Sequence, residues 1–187
     1  MERQEAIDIL AEGRGDAISV ATMQSVFPWQ EAGQSENLHV DASQCMGSAS
    51  SMGLGLAIAK PGRKVMVLDG DGSLLMQLGS LVTITEASPP NFYHFVFANG
   101  LNQSTGNQLI PGLGTFDWVA LAKAAGYKNA LKVTEAEDLI ERLPAIWEME
   151  GPVLIELTIA REEGPSRWTG VPMAKQVAAM KEQLAAL

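Results

Sequence analysis

Two segments of this chain, 64–68 (KVMVL) and 92–97 (FYHFVF), carry apolar or aromatic side chains on nearly every position rather than on alternate ones. A strand half exposed to water alternates. A strand buried on both faces does not, and such strands belong to parallel sheets covered by helices. Segments 17–22, 37–40, 131–133 and 153–159 read as further strands. Helical stretches fall between them: 3–12, 46–60 stopping at Pro61-Gly62, 73–86 with Asp71 or Ser73 as a cap, 116–125, and a capped helix from Thr134 toward Leu143. The alternation predicts an α/β fold, a doubly wound, mainly parallel sheet flanked by helices, in one domain over 1–187. Ligands of such sheets sit at the carboxyl ends of the strands.

Two segments read as irregular, 27–36 and 101–114; the second is long for a compact domain, which marks a functional loop. Segment 174–187 is helical in pattern, with Val177, Met180, Leu184 and Leu187 on one face. A net charge of −9 argues against a nucleic-acid partner. The single cysteine, Cys45, excludes an internal disulfide. The amino terminus is too polar for a signal peptide, and no apolar run approaches the ~20 residues of a membrane helix. The expectation is a cytoplasmic protein without membrane contact. His39 and His94 read as packed residues and form no metal cluster.

The turns that end the two apolar segments carry the chemistry. Gly70-Asp71-Gly72-Ser73 follows the first, and Ala98-Asn99-Gly100-Leu101 follows the second. Asp71 offers a carboxylate, Asn99 an amide oxygen and Leu101 a main-chain carbonyl. These are hard oxygen donors suited to a magnesium ion that shares its shell with phosphate oxygens. Gly70 and Gly72 allow the backbone close to an anion, and Gly72 and Ser73 can donate hydrogen bonds to it.

The pair of turns resembles the fingerprint of thiamine-diphosphate enzymes, and most closely the β subunits of sulfopyruvate decarboxylase and the matching half of phosphonopyruvate decarboxylase. The blocks that carry the resemblance are Met46-Gly47-Ser48-Ala49-Ser50, Gly70-Asp71-Gly72-Ser73, and Asn99 through Gln108 with Ser104-Thr105-Gly106 at its centre. It implies thiamine diphosphate and magnesium as cofactors and a 2-oxo acid as substrate. The metal would be held by Asp71, Asn99 and the Leu101 carbonyl. Cofactor contacts would come from Gln44, through its carbonyl, and from Met46, Gly47, Ser48, Gly70, Gly72, Ser73, Asn99, Leu101, Ser104 and Thr105. Met46 stands where the family places a bulky apolar residue that holds the cofactor bent.

Three departures qualify the resemblance. Ala98 replaces the first of two asparagines usual in the family. No segment resembles the pyrimidine-binding domain, whose glutamate the chemistry requires, so a partner subunit is expected to supply it in a homo- or hetero-oligomer. The stretches after the first strand and after Asn99, 21–26 and 101–103, hold no cation for a sulfonate or phosphonate. That cation is expected from the partner, or the substrate is another 2-oxo acid. The reading is a subunit of a thiamine-diphosphate-dependent decarboxylase. The alternatives are a carboligase or other lyase subunit on the same cofactor, or a non-catalytic cofactor-binding subunit.

Overall fold

Strand pairing follows the apolar segments. The structure is a computed structural model and describes residues 1–162 and 172–186. In chain order the elements are α1 (Arg3–Glu12), β1 (Ile18–Ala21), α2 (Val26–Glu31), β2 (His39–Asp41), α3 (Ala49–Ala59), β3 (Val65–Gly70), α4 (Asp71–Met76), α5 (Ser80–Ala87), β4 (Phe92–Ala98), β5 (Leu101–Asn102), β6 (Gln108–Leu109), α6 (Trp118–Ala125), β7 (Asn129–Val133), α7 (Ala136–Trp147), β8 (Val153–Thr158) and α8 (Met173–Ala185). Six strands form one parallel sheet in the order β2-β1-β3-β4-β8-β7. The sheet is doubly wound as expected, and the chain reverses direction across it between β1 and β3. The crevice at such a reversal is where doubly wound sheets bind ligands.

Each face of the sheet carries its own core. One joins α1, α2 and α7 to the sheet through Ile7, Leu10, Trp29, Leu139 and Ile146. The other gathers residues of α3, α5, α6 and α8 around Val67, Phe92 and Leu154. In α1, Ala6, Ile7 and Leu10 share one fully buried face. Burying an Ile or Leu side chain contributes about 1.5–3 kcal/mol, so this short helix is anchored by packing. Helix α3 lies directly on β3 because Gly53 has no side chain; a Cβ there would stand 2.3 Å from Val67 Cγ2.

Segment 27–36, expected to be irregular, contains α2. Pro28 falls in its first turn, where no backbone N–H is needed, and so does not break it. Trp29 is the reason the helix is held: it is fully buried and donates Nε1–H to Ser19 Oγ at 3.2 Å. The expected helix over 73–86 is two helices, α4 and α5, separated at Gln77–Gly79. Its cap is neither Asp71 nor Ser73: the N-cap position is Gly70, and Asp71 is the first helical residue. Segment 101–114 contains the antiparallel pair β5–β6 around a short 3-10 turn at Gln103–Thr105.

The expected C-terminal helix is present as α8, packed along β2; Leu187 lies outside the described residues. The side chains of Gln183 and Gln176 accept the backbone N–H groups of Leu38 and Asp41. No helix among the described residues is long and apolar enough to cross a membrane.

Candidate functional site

The register between β3 and β4 places the two motif turns side by side. Gly70 pairs with Phe97, so both strands end at the same edge and Asp71 and Asn99 leave it together. Asp71 Oδ2 accepts the Gly100 N–H at 2.7 Å, and Asp71 Oδ1 accepts the Gly72 N–H at 2.8 Å. Gly100 adopts φ of +76°, which favours glycine and lets the chain turn back over the Asp71 carboxylate. Burial pushes the Asp71 carboxyl above its ordinary range. The amides of Gly100 and Gly72 and the charge of Arg3 act the other way.

Asn99 is buried and held at three points. Its Oδ1 accepts the Leu101 N–H at 2.9 Å, its Nδ2 donates to Gln103 Oε1 at 3.0 Å, and its main-chain carbonyl accepts from Arg161 Nε at 3.1 Å. Ala98 therefore leaves Asn99 with a full set of local partners.

A cleft of about 370 Å³ opens at this edge. Of the residues expected at the site, Met46, Gly70, Asp71, Gly72, Ser73, Asn99, Leu101 and Ser104 line it. Gln44, Gly47, Ser48 and Thr105 do not. Gly47 nonetheless donates its N–H to Ser73 Oγ at 3.0 Å. Thr105 is exposed and bonds the Asn102 carbonyl and Gln108 within its own loop. Gln44 is exposed, and Ser48 occupies the N-cap position of α3. Cys45 is a partly buried free thiol.

The cleft also holds residues that the sequence reading did not single out. Thr22, Gln24 and Ser25 follow β1 across the crevice, and Gln24 Nε2 donates to Ser104 Oγ at 3.0 Å. Asn102 packs over Gly72 so closely that a Cβ on Gly72 would fall 2.2 Å from Asn102 Oδ1. Two cations outside the stretches read for one stand near the site. Arg3 of α1 lines the cleft, and Arg161 after β8 reaches Asn99 from the other side. Arg161 also lines a second cleft, of about 790 Å³, with Asp71, Asn99, Phe116, Trp118 and Thr158. Asp71 and Asn99 thus stand in the wall between the two.

The donor set suits a magnesium diphosphate. The carboxylate of Asp71 and the amide of Asn99 lie at one edge. The Leu101 carbonyl stands beside Gly72, 3.5 Å from the position a Cβ would take there. No group of three or more His, Cys, Asp or Glu side chains arranged for a metal occurs among the described residues. A site here therefore relies on the amide, the main-chain carbonyl and the ligand's own oxygens. The two histidines line neither cleft. His94 is fully buried between Asp69 Oδ2 at 3.2 Å and the Tyr127 hydroxyl at 3.3 Å. His39 faces Ser19 and α8.

Comparison with known proteins finds relatives of this chain. A phosphonopyruvate decarboxylase of Streptomyces viridochromogenes is 43% identical over 114 residues, covering 61% of this chain and 28% of that protein. A sulfopyruvate decarboxylase of Methanosarcina acetivorans is 32% identical over 178 residues, covering 95% of this chain and 45% of that protein. The sulfopyruvate decarboxylase subunit beta of Methanothermobacter thermautotrophicus is 33% identical over 161 residues, covering 85% of this chain and 82% of that one. The chain thus spans under half the length of the first two. Among solved structures, the thiamine diphosphate-dependent 4-hydroxybenzoylformate decarboxylase of Rhodococcus jostii RHA1 superposes with a TM-score of 0.70 at 22% identity, over 88% of this chain and 33% of that one; it shares the fold. Residues 19–157 match the family described as thiamine pyrophosphate enzyme, C-terminal TPP binding domain, and the chain belongs to that family.

Proposed function

We propose that this chain is the diphosphate- and magnesium-binding subunit of a thiamine-diphosphate-dependent 2-oxo-acid decarboxylase, completed by a partner chain that binds the aminopyrimidine. The observation that carries the reading is the convergence of Asp71 and Asn99, from adjacent parallel strands, at the lip of one cleft. Asp71, Asn99 and the Leu101 carbonyl would hold the metal. Gly72 and Ser73 would face the diphosphate, and Met46 would support the apolar middle of the cofactor. When bound, thiamine diphosphate supplies the electron sink for the carbon that loses carbon dioxide.

Asp71 is the one carboxylate lining the cleft among the described residues. A second acid for the pyrimidine nitrogen must therefore come from elsewhere, which supports a site shared between chains. The relative named as a subunit beta favours the same arrangement. Isothermal titration of thiamine diphosphate into the chain, alone and with candidate partners, with magnesium or with chelator, tests the proposal. Binding that needs magnesium is expected. Equal affinity in chelator would exclude the metal-bridged site.

A further inference from the structure

Asn99 can ligate a cation only through its oxygen, and an amide side chain can turn either end to a neighbour. Something must fix which end faces which way. On one side the Leu101 N–H, a donor, meets Oδ1 at 2.9 Å. On the other side Nδ2 meets Gln103 Oε1. Gln103 carries the same ambiguity, and turning it would present an N–H group to the N–H group of Asn99.

Arg3 removes that ambiguity. It is 4% exposed and donates Nη2–H to Gln103 Oε1 at 2.6 Å. A guanidinium only donates, so the atom of Gln103 that meets it must be oxygen. The same oxygen then accepts from Asn99 Nδ2. Glu162 fixes the other end: its Oε2 accepts Arg3 Nε–H at 2.9 Å and Gln103 Nε2–H at 3.3 Å. Arg3, Glu162 and Gln103 are thus linked pairwise by hydrogen bonds.

We propose that Arg3 is a positioning residue, which through Gln103, and together with the Leu101 N–H, holds the Asn99 amide so that its oxygen faces the cation site. This rests on the function proposed above only for the identity of the ligand. The orientation itself is a property of the protein. It follows that what matters at position 3 is a donor-only group and at position 103 an oxygen facing both neighbours. Arg3→Lys preserves the first. Arg3→Met and Gln103→Met destroy the relay at two different points, and Gln103→Met leaves the bond between Arg3 and Glu162 in place. Supporting groups around metal ligands of this kind are worth about 10–100-fold in affinity.

Two readouts on the full-length chain decide the matter. The first is the side-chain amide signal of Asn99 in a nitrogen–proton correlation spectrum, assigned by its loss in Asn99→Asp. It needs no ligand. Hydrogen-bonded to Gln103, the amide protons should be protected from exchange in the wild type and in Arg3→Lys, and lose protection at least ten-fold in both methionine variants. The second is the magnesium dependence of thiamine diphosphate binding by titration calorimetry. It should weaken about 10–100-fold in the methionine variants and change less than about three-fold in Arg3→Lys. Unchanged protection and unchanged magnesium affinity in Arg3→Met and Gln103→Met would overturn the inference. So would equal losses in Arg3→Met and Arg3→Lys. Wild-type protein that binds without magnesium would sink the functional reading, while the amide signal would still decide the role of Arg3.

Discussion

The backbone N–H of Gly47 donates to the hydroxyl of Ser73 at 3.0 Å, joining the turn before α3 to the start of α4. Gly47 has φ of +83°, and a Cβ there would stand 3.2 Å from Met76 Cβ and 3.3 Å from Gln77 Cβ. Two of the three segments that resemble the thiamine-diphosphate family are thus joined by a backbone-to-hydroxyl bond, with little room for a side chain at the joint.

Gly47→Ala should therefore cost stability twice, through left-handed backbone strain of about 1–2 kcal/mol and through the crowded Cβ. Ser73→Ala should leave the buried Gly47 N–H unpaired, at about 1–3 kcal/mol. Urea unfolding of both variants measures this; a Gly47→Ala midpoint equal to the wild type would contradict the packing described.

Asp71 and Asp69 should separate binding from stability. Asp71→Ala removes a carboxylate from the cleft and should abolish magnesium-dependent cofactor binding. Asp69 is fully buried, bonded to His94 and to the Gly70 N–H, and does not line the cleft. Asp69→Ala leaves a buried His94 nitrogen without a partner and should lose about 1–3 kcal/mol of stability. Titration calorimetry beside chemical denaturation gives both numbers for both variants, and a reversed pattern would refute the assignment.

His39 should make the fold acid-sensitive. Burial, with the charge of Arg14 adding to it, lowers its pKa from 6.5 to about 3. Between those values the unfolded chain binds a proton that the folded chain refuses, so stability falls as pH drops from 6.5 toward 3. The slope from this group approaches about 1.4 kcal/mol per pH unit. His39→Gln should flatten this part of the curve. Denaturant midpoints of the two proteins from pH 7 to pH 4 give the comparison, and parallel curves would show that His39 contributes nothing.

The chain alone should release no carbon dioxide from 2-oxo acids, and addition of the pyrimidine-binding partner should restore release. A coupled carbon dioxide assay on the purified chain, before and after mixing, checks this. Turnover at an ordinary enzymatic rate without any partner would refute the split site.

Much of the sheet was legible because its central strands are apolar on both faces; 64–68 and 92–97 fall within two residues of β3 and β4 at each end. Asp71 and Asn99 were legible because each follows such a strand directly. Helix α2 was hidden by Pro28, which reads as a breaker unless its position in the first turn is known. Arg3, Gln24, Asn102 and Gln103 were missed for a different reason. Arg3 sits on a helix that gives no local sign of a ligand, and its partner Gln103 is a hundred positions away. Only the folded sheet, with α1 packed beside α2 and α7 on one face, brings the two together.

The glutamines of α8 have a consequence for assembly. A border strand normally offers its free amides to any extended chain that drifts past, which is the route to strand exchange and fibrils. Here Gln176 and Gln183 occupy two of those amides with side-chain oxygens. At the opposite border, Arg142 donates to the Lys132 carbonyl of β7. The sheet is finished off at both margins by side chains acting as surrogate neighbours. Growth by adding strands is thereby discouraged at these positions.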